Sequence, residues 1–295
     1  MLSGIVEKRK TDRDTFGDLG GFFAWWLSAG VLKGESLRVF EEYYSNYIEE
    51  FKGYLRQTWV DRHAELEETL RILGGNSKVR ILDLGCGTGT VSLYCAAKLG
   101  DRGEVLGVDI KEKRLACARE RLAILEKTLG KSLSCRYELA DVGDLASHRQ
   151  FDLVYLEEAL HHMEPRLAVC QKIASLLGRG GVLIISEVNA SNPLIQLWFL
   201  KKRGFRTMKE NRAPKGGKIP YGNERILTAG RVIRLFRIQG LRLESARFFR
   251  IADVTMGKVA DIRGINLMKF EKAFCKVPFL PSLLTIQYNV VLSKA

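Results

Sequence analysis

Paired cysteines and long apolar runs are both missing from this 295-residue sequence. The six cysteines form no Cys-x-x-Cys pair and the four histidines show no metal-site spacing, so neither a structural zinc site nor a disulfide framework is predicted. The longest mostly apolar stretch, residues 22–32, is far shorter than the about 20 residues of a membrane-spanning helix. No signal-sequence pattern opens the chain. We therefore expect reduced thiols, a cytoplasmic location and no metal.

Glycine is concentrated where a predicted strand meets a predicted helix. Residues 81–84 read Ile-Leu-Asp-Leu, an apolar run typical of a central parallel strand covered on both faces, and Asp83 interrupts it. Three alternating glycines follow, which allow a sharp turn and close approach of a ligand, and a helix begins near Thr90. This unit predicts a turn that holds a nucleoside cofactor, with contacts from Asp83, Gly85, Cys86, Gly87, Thr88 and Gly89.

A second acidic residue stands at the end of the next predicted strand. Residues 104–110 read Glu-Val-Leu-Gly-Val-Asp-Ile, and Asp109 is placed to accept hydrogen bonds from both hydroxyls of a ribose. The loop departs from the Gly-x-Gly-x-x-Gly of a dinucleotide site, because Thr90 occupies the position of the last glycine. The pattern therefore argues against a pyrophosphate-containing cofactor.

Both segments resemble the first motifs of the class I S-adenosylmethionine (SAM)-dependent methyltransferases of small-molecule type. The similarity extends over residues 79–188. It implies SAM as cofactor and S-adenosylhomocysteine as product, with Asp109 and Ile110 at the ribose and Asp141 and Val142 at the adenine. The later motifs are residues 139–144 (Leu-Ala-Asp-Val-Gly-Asp), 151–163 (Phe-Asp-Leu-Val-Tyr-Leu-Glu-Glu-Ala-Leu-His-His-Met) and 176–187 (Leu-Leu-Gly-Arg-Gly-Gly-Val-Leu-Ile-Ile-Ser-Glu).

The resemblance also implies the fold. It is an α/β fold with a seven-stranded, mostly parallel, doubly wound sheet, elaborated by an N-terminal helical cap and acceptor-side insertions. Strand six is expected at residues 241–251 and strand seven, antiparallel to it, at 285–293. The expected divisions are a cap or lid (1–78), the SAM-binding core (79–190), a basic acceptor-side insertion (191–227) and the rest of the core (228–295), which contains a helical insertion at 252–281.

The predicted cap is rich in apolar and aromatic residues. Apolar side chains recur at helical spacing over residues 37–55 and 66–73, a pattern typical of helices that pack on a core. Residues 22–32 contain two tryptophans and two phenylalanines. Burial against the core, a lid over an apolar acceptor and an anchor on a membrane surface all suit this stretch.

Positive charge is concentrated in one part of the chain. Residues 199–250 hold fifteen Lys and Arg and three Glu, a net charge of +12. The rest of the chain therefore contributes a net charge of only +1 to the total of +13. Arg231, Arg234 and Arg237 are predicted to lie on the solvent face of a helix, and residues 214–228 to form a loop facing the acceptor. The basic rim suits an anionic acceptor, an anionic membrane surface or nucleic acid. Nucleic acid is less favoured, since no RNA-binding module is recognisable.

Two adjacent histidines follow the predicted fourth strand. A hydroxyl acceptor loses its proton on methylation, and histidine is the side chain best suited to take it near neutral pH. His161 and His162 are therefore the predicted catalytic residues, with a slight preference for His161, and simple pocket lining is the alternative. Glu157 is predicted near the cationic methionine end of the cofactor. The predicted acceptor-binding residues are Glu158, Glu187, Tyr221 and Asn223.

The function predicted from these features is methyl transfer from SAM to an O or N atom of a small or lipid-linked acceptor, and the charge suggests an anionic one. The protein then has to hold the acceptor in line with the methyl carbon and exclude water. An RNA methyltransferase and a non-catalytic SAM-binding partner protein stay open as alternatives.

Overall fold

The computed structural model describes residues 17–50, 59–75, 78–146, 148–251, 266–277 and 279–295. The strands are β1 (Val79–Leu84), β2 (Gly103–Asp109), β3 (Cys135–Leu139), β4 (Phe151–Glu157), β5 (Leu177–Val188), β6 (Met208–Arg212), β7 (Lys218–Gly222), β8 (Leu241–Phe249) and β9 (Gln287–Lys294). The helices are α1 (Leu19–Ser28), α2 (Gly34–Glu50), α3 (Ala64–Leu73), α4 (Thr90–Leu99), α5 (Glu112–Leu129), α6 (Arg166–Leu176), α7 (Pro193–Arg203), α8 (Ala229–Arg237), α9 (Leu267–Phe274) and α10 (Leu280–Leu284).

A seven-stranded sheet with the order β3-β2-β1-β4-β5-β9-β8 forms the centre of the molecule. The first five strands pair in parallel, and β9 runs antiparallel to both β5 and β8. The predicted α/β fold with a mostly parallel seven-stranded sheet is confirmed. From β1 the chain proceeds first to β2 and β3 on one side and then to β4 and β5 on the other. The order therefore reverses between β1 and β4, which is where such sheets bind ligands.

The continuous apolar character of the strands follows from burial on both faces. Ile81 of β1 and Leu153 of β4 belong to the core cluster that also contains α4 and the N-terminal helices. Leu82 and Val154, the next residues along the same strands, belong to the cluster formed with α6 and α8 on the other face. Alternate side chains thus enter different cores, so both positions must be apolar.

The N-terminal helices are packed against one face of the sheet. Phe22, Phe23 and Trp26 of α1 are at most 3% exposed, and the ring of Phe23 stacks on that of Trp59 at 4.7 Å. The interpretation of residues 22–32 as a membrane-surface anchor is therefore wrong, because the side chains that would enter a bilayer fill the core instead. Part of the predicted helical stripe, residues 51–55, lies outside the described residues.

The basic insertion forms α7 and then a β-hairpin. The hairpin of β6 and β7 corrects the prediction of a loop over residues 214–228, because its second strand lies within that range. Gly216 and Gly217, with φ of 94° and 78°, make the turn between the two strands. A bridge between Met163 and Tyr221 joins the hairpin to the loop that follows β4. The insertion is thereby fixed beside the carboxyl edge of the main sheet.

The C-terminal part of the chain follows the predicted order of elements. β8 ends two residues earlier than expected, and β9 lies close to its expected position. Of the predicted helical insertion at 252–281, residues 252–265 lie outside the described residues, and α9 and α10 occupy much of the remainder. Arg231, Arg234 and Arg237 lie on the exposed face of α8, as predicted. Among the described residues, no helix is both long and apolar enough to cross a membrane.

Candidate active site

A cavity of about 1670 Å³ opens at the carboxyl ends of β1, β2 and β4. Core residues line one side of it, and the loop after β4, α7 and the hairpin line the other. Of the residues predicted from the sequence to form the site, those that line the cavity are Asp83, Gly85, Cys86, Asp109, Ile110, Asp141, Val142, Glu157, Glu158, His161, His162 and Tyr221.

The glycine loop between β1 and α4 depends on residues without a side chain. Gly85, Gly87 and Gly89 have φ of 75°, 55° and 80°, a region that other residues rarely adopt. A Cβ at Gly85 would lie 2.6 Å from the Cβ of Ala159, and one at Gly87 would collide with the ring of Tyr43. The loop therefore passes directly beneath the neighbouring elements, and substitution at any of the three glycines is expected to distort it.

Asp109 is held at the end of β2 by backbone groups. Its Oδ2 accepts from the N–H of Gly87 at 3.0 Å, and its Oδ1 accepts from that of Lys111 at 2.8 Å. Burial raises the pKa of Asp109, while the nearby Arg114 guanidinium opposes the shift. A carboxylate has about four acceptor positions, so each oxygen keeps one for a further donor. This is the geometry required to receive the two hydroxyls of a ribose.

Asp83 is a buried acid on the same side of the cavity. Its Oδ2 accepts from the hydroxyl of Ser92 at 2.6 Å. Burial raises the pKa of Asp83 to about 7, with the Ser92 hydrogen bond opposing the shift and the charge of Glu157 adding to it. The group is thus balanced between its neutral and charged forms near neutral pH. A cation beside it would favour the charged form.

The predicted adenine segment follows β3. The side chain of Asp141 accepts from the N–H of Gly143 at 2.9 Å and caps a short helical turn, and Val142 is buried against the core. Cys86, in the glycine loop, is also buried, and burial raises the pKa of its thiol well above the ordinary value. It is therefore an apolar filler rather than a nucleophile.

Several predicted site residues do not line the cavity. Gly87, Thr88 and Gly89 lie behind its wall, and Thr88 accepts from the buried guanidinium of Arg121 through its carbonyl at 2.7 Å. The side chain of Asn223 is used within the hairpin region, where it donates to the Arg206 carbonyl at 2.8 Å. Glu187 lies behind His161. These residues support the site from outside the cavity.

Arg121, which the sequence analysis missed, connects the N-terminal helices to the glycine loop. It lies on α5, is fully buried, and also donates to the hydroxyl of Thr90 at 2.9 Å. Its guanidinium lies 4.3 Å from the ring centre of Trp26 and 4.7 Å from that of Phe40. The only signal in the sequence was an arginine at a position of α5 whose neighbours one turn away, such as Ala118 and Leu125, are apolar.

A second missed pair, Arg62 and His63, lies beside the acidic end of β4. Arg62 is ion-paired with Glu157 at 3.1 Å and with Glu158 at 2.7 Å, and His63 Nε2 lies 2.9 Å from Glu157. Burial alone would raise the pKa of Glu157, but Arg62 and His63 lower it to about 2. Glu157 is therefore charged, and the guanidinium of Arg62 compensates part of that charge.

The two histidines line the same cavity, on the loop that follows β4. His161 is buried and donates from Nδ1 to Glu187 Oε2 at 2.6 Å, while its Nε2 lies 3.5 Å from Glu224 Oε2. His162 donates from Nδ1 to the Gly222 carbonyl at 2.9 Å, and its ring stacks on that of Tyr221 at 4.7 Å. Burial opposes protonation of both rings, yet the adjacent carboxylates raise the pKa of His161. Burial and the His161 charge lower the pKa of His162 to about 4.

A mostly parallel sheet with a glycine loop after its first strand and an acid at the end of its second defines a nucleoside-binding α/β protein. A family profile described as a methyltransferase domain matches residues 75–237. The ubiquinone biosynthesis O-methyltransferase of Xanthomonas campestris is 35% identical over 112 residues, covering 37% of this chain and 43% of that protein. Phosphoethanolamine N-methyltransferase 1 of Arabidopsis thaliana is 26% identical over 186 residues, which cover 61% of this chain and 33% of that protein.

The chain spans about half the length of the curated relatives it matches, or less. The magnesium protoporphyrin IX methyltransferase of Synechocystis PCC 6803, solved with bound S-adenosylhomocysteine, has the same fold. It superimposes with a TM-score of 0.51 and 15% identity over 89% of this chain and 100% of that one. The chain belongs to the methyltransferase-domain family, its fold is that of class I SAM-dependent methyltransferases, and the prediction of SAM as its cofactor is confirmed.

Proposed function

We propose that this chain transfers the methyl group of SAM to an oxygen or nitrogen of a small or lipid-linked acceptor. The observation that carries the proposal is that one cavity is lined both by the acids predicted to bind the cofactor and by the histidine pair. These residues lie at the carboxyl ends of neighbouring strands, around the point where the order of the sheet reverses. Such an arrangement would hold a methyl donor and its acceptor close together in one cavity.

SAM is proposed to lie along the core side of the cavity. Asp109 would receive the ribose hydroxyls through its remaining acceptor positions, while Asp141 and Val142 would contact the adenine. The methionine end carries a sulfonium and an ammonium, and Asp83 and Glu157 supply negative charge near the glycine loop. The acidic lining and the absence of a pyrophosphate-type loop support this placement.

The acceptor is proposed to enter between α7 and the hairpin. This part of the wall contains aromatic and aliphatic side chains, among them Trp198, Phe199 and Tyr221. Lys202 also lines the wall and lies 3.4 Å from Glu224. The lining favours an acceptor with an apolar body and a polar group. The named relatives include both O- and N-methyltransferases, so either atom is compatible with the family.

The outer rim of the cavity is unusually apolar for an exposed surface. On α7, Leu194 is 70% exposed, Leu197 is 62% exposed and Trp198 is 54% exposed. Phe205, just beyond the helix, is 90% exposed. Lys201, Lys202, Arg203 and Arg206 lie next to them, so apolar anchors and positive charge occur together. An anionic bilayer satisfies both. We propose that this rim contacts a membrane surface and receives a lipid-linked acceptor from it.

The histidine pair is proposed to handle the proton of a hydroxyl acceptor. In both rings Nδ1 donates to a protein oxygen, so in the neutral imidazole Nε2 is the nitrogen that carries the free lone pair. Glu187, predicted to contact the acceptor, instead orients His161. The transfer itself needs little acid catalysis, because the sulfonium carries its own leaving group.

The test is methyl transfer from tritiated SAM, using purified full-length protein. The acceptor panel contains phenols, phosphorylated amines, acidic vesicles and total RNA. Transfer to a small molecule or to vesicle lipid, lost in Asp109→Ala, supports the proposal. Transfer to RNA alone would instead identify an RNA methyltransferase. SAM binding without transfer to any member of the panel would contradict the proposed enzyme and favour a non-catalytic SAM-binding protein.

A further inference from the structure

Two histidines and one glutamate converge on a single point at the acceptor side of the cavity. One potential ligand atom each from His161, His162 and Glu224 lies within 4.8 Å of the others. The imidazole rings are 4.1 Å apart, and Glu224 reaches them from the loop that follows β7. All three residues also line the cavity, so the point between them is open to a ligand.

Both imidazoles are oriented from behind by independent acceptors. His161 Nδ1 donates to Glu187, which is 2% exposed, and His162 Nδ1 donates to the backbone carbonyl of Gly222. These hydrogen bonds fix the tautomer of each neutral imidazole, so that Nε2 carries the lone pair that a metal ion would bind. Histidines that bind metal ions show this same arrangement, in which the second nitrogen donates to a carboxylate or a carbonyl. The backbone also fits closely here, because a Cβ at Gly222 would collide with the His161 carbonyl.

We propose that His161, His162 and Glu224 bind a divalent metal ion, with Glu187 and the Gly222 carbonyl orienting the two imidazoles. Two imidazoles and one carboxylate suit zinc, manganese, iron or cobalt, and they leave coordination positions open. The site deepens the proposed function, on which its chemical role rests. An acceptor hydroxyl in an open position would be the oxygen that is methylated.

The metal ion would make the hydroxyl a better nucleophile by lowering its pKa. With the metal bound, His161 and His162 are its ligands and no longer act as bases, so the proton is released to water, and the oxygen lone pair forms the new bond to the methyl carbon. The bond from that carbon to sulfur breaks, its electron pair stays on sulfur, and neutral S-adenosylhomocysteine results. The expectation of no metal relied on spacing along the chain, and it missed this cluster because Glu224 lies on a different segment from the histidines.

The decisive measurement is Co²⁺ binding by the full-length protein after dialysis against a chelator. We expect saturable binding of one Co²⁺ per chain by calorimetry, with visible absorption bands from nitrogen ligation. Glu224→Gln should weaken binding by at least about tenfold, and Glu187→Gln by about 10- to 100-fold. Glu210→Gln is the matched control, because Glu210 is an exposed carboxylate on β6 that is paired with Lys218. It should bind Co²⁺ like the unaltered protein.

Two results would overturn the metal site. One is the lack of Co²⁺ binding by a folded protein that still binds SAM. The other is equal binding by Glu224→Gln and the unaltered protein, which would mean an adventitious ion. Methyl transfer that survives chelation would remove the metal's role and keep the proposed function. Co²⁺ binding without methyl transfer to any acceptor would keep the metal site and contradict the proposed function.

Discussion

At the scale of single residues, the acids around the cofactor half of the cavity differ because their environments differ. Asp109 accepts two backbone hydrogen bonds, Asp83 has a serine hydroxyl, and Glu157 has Arg62 and His63 as partners. The pKa of Asp83 is raised to about 7, whereas that of Glu157 is lowered to about 2. These carboxylates are therefore expected to respond differently to pH and to substitution.

Asp109→Ala should weaken SAM binding by about 1 to 3 kcal/mol, because two ribose hydroxyls would lose their acceptor in a dry site. Isothermal titration calorimetry measures the loss. Asp144→Ala provides the control, since Asp144 is an acid of the adenine segment that does not line the cavity. Unchanged affinity in a folded Asp109→Ala protein would refute the ribose assignment.

Asp83 should make SAM binding dependent on pH. Its folded pKa is raised from 3.8 to about 7, so the group favours folding below the lower value, and that contribution is lost as the pH rises toward 7. A cationic cofactor favours the ionised form. SAM should therefore bind more tightly as the pH rises through 7, with release of a proton from the protein.

Calorimetry in two buffers of different ionisation enthalpy counts that proton. Asp83→Asn should abolish both the proton release and the increase in affinity between pH 6 and pH 8. Equal proton release by the two proteins would show that another group titrates.

At the scale of elements, the predictable parts were those whose pattern is local. β1 and α4 were evident because a two-sided apolar strand, three glycines and a helix follow one another within a few residues. The hairpin of β6 and β7 was not, because Pro220 interrupts its second strand and its position depends on the Met163–Tyr221 bridge. The role of Arg62 was not predicted for a similar reason, because its carboxylate partners lie at the end of β4 and just beyond it, far along the chain.

The contact between α5 and the glycine loop should contribute measurably to stability. Arg121→Met would leave the carbonyl of Thr88 without its buried donor, which costs about 1 to 3 kcal/mol. Urea unfolding measures this difference. Arg119→Met on the same helix removes an exposed arginine and should stay within about 0.5 kcal/mol. Equal effects from the two substitutions would contradict a specific role for Arg121.

The surface of α7 should bind anionic vesicles. Changing Lys201, Arg203 and Arg206 to glutamate should abolish sedimentation with acidic vesicles, since each basic residue contributes about 1 kcal/mol near such a surface. Trp198, rather than the buried Trp26, should then report insertion by a blue shift of its fluorescence. Binding should also fade at 1 M salt, where the Debye length is about 3 Å.

The matched control changes Arg231, Arg234 and Arg237 of α8 to glutamate. This variant alters the net charge equally, but on a helix outside the cavity rim. It should retain vesicle binding. If both variants lose binding alike, the attraction depends on net charge and gives α7 no special role.

At the scale of the whole molecule, the half of the cavity proposed for the cofactor is built by the core, and the half proposed for the acceptor is built by α7 and the hairpin. The sequence predicted the residues of the cofactor half because they follow the strand order of the family. The acceptor half depends on how the insertion folds back onto the sheet, which no short sequence pattern encodes. The division that makes residues 1–78 a separate cap remains a prediction. The ion pairs of Arg62 join this segment to the core.

Arg62 has a consequence for how the molecule can be divided. It brings a positive charge from the N-terminal part to two carboxylates at the end of β4, and it donates to the hydroxyl of Ser186 on β5. Without it, two like charges would face each other in a partly buried site. A chain starting at residue 78 should therefore fail to bind SAM, and the full chain should unfold in a single calorimetric transition. The N-terminal segment is then not an exchangeable module, and a chimaera with a relative's segment would need a matching cation to rebuild this site.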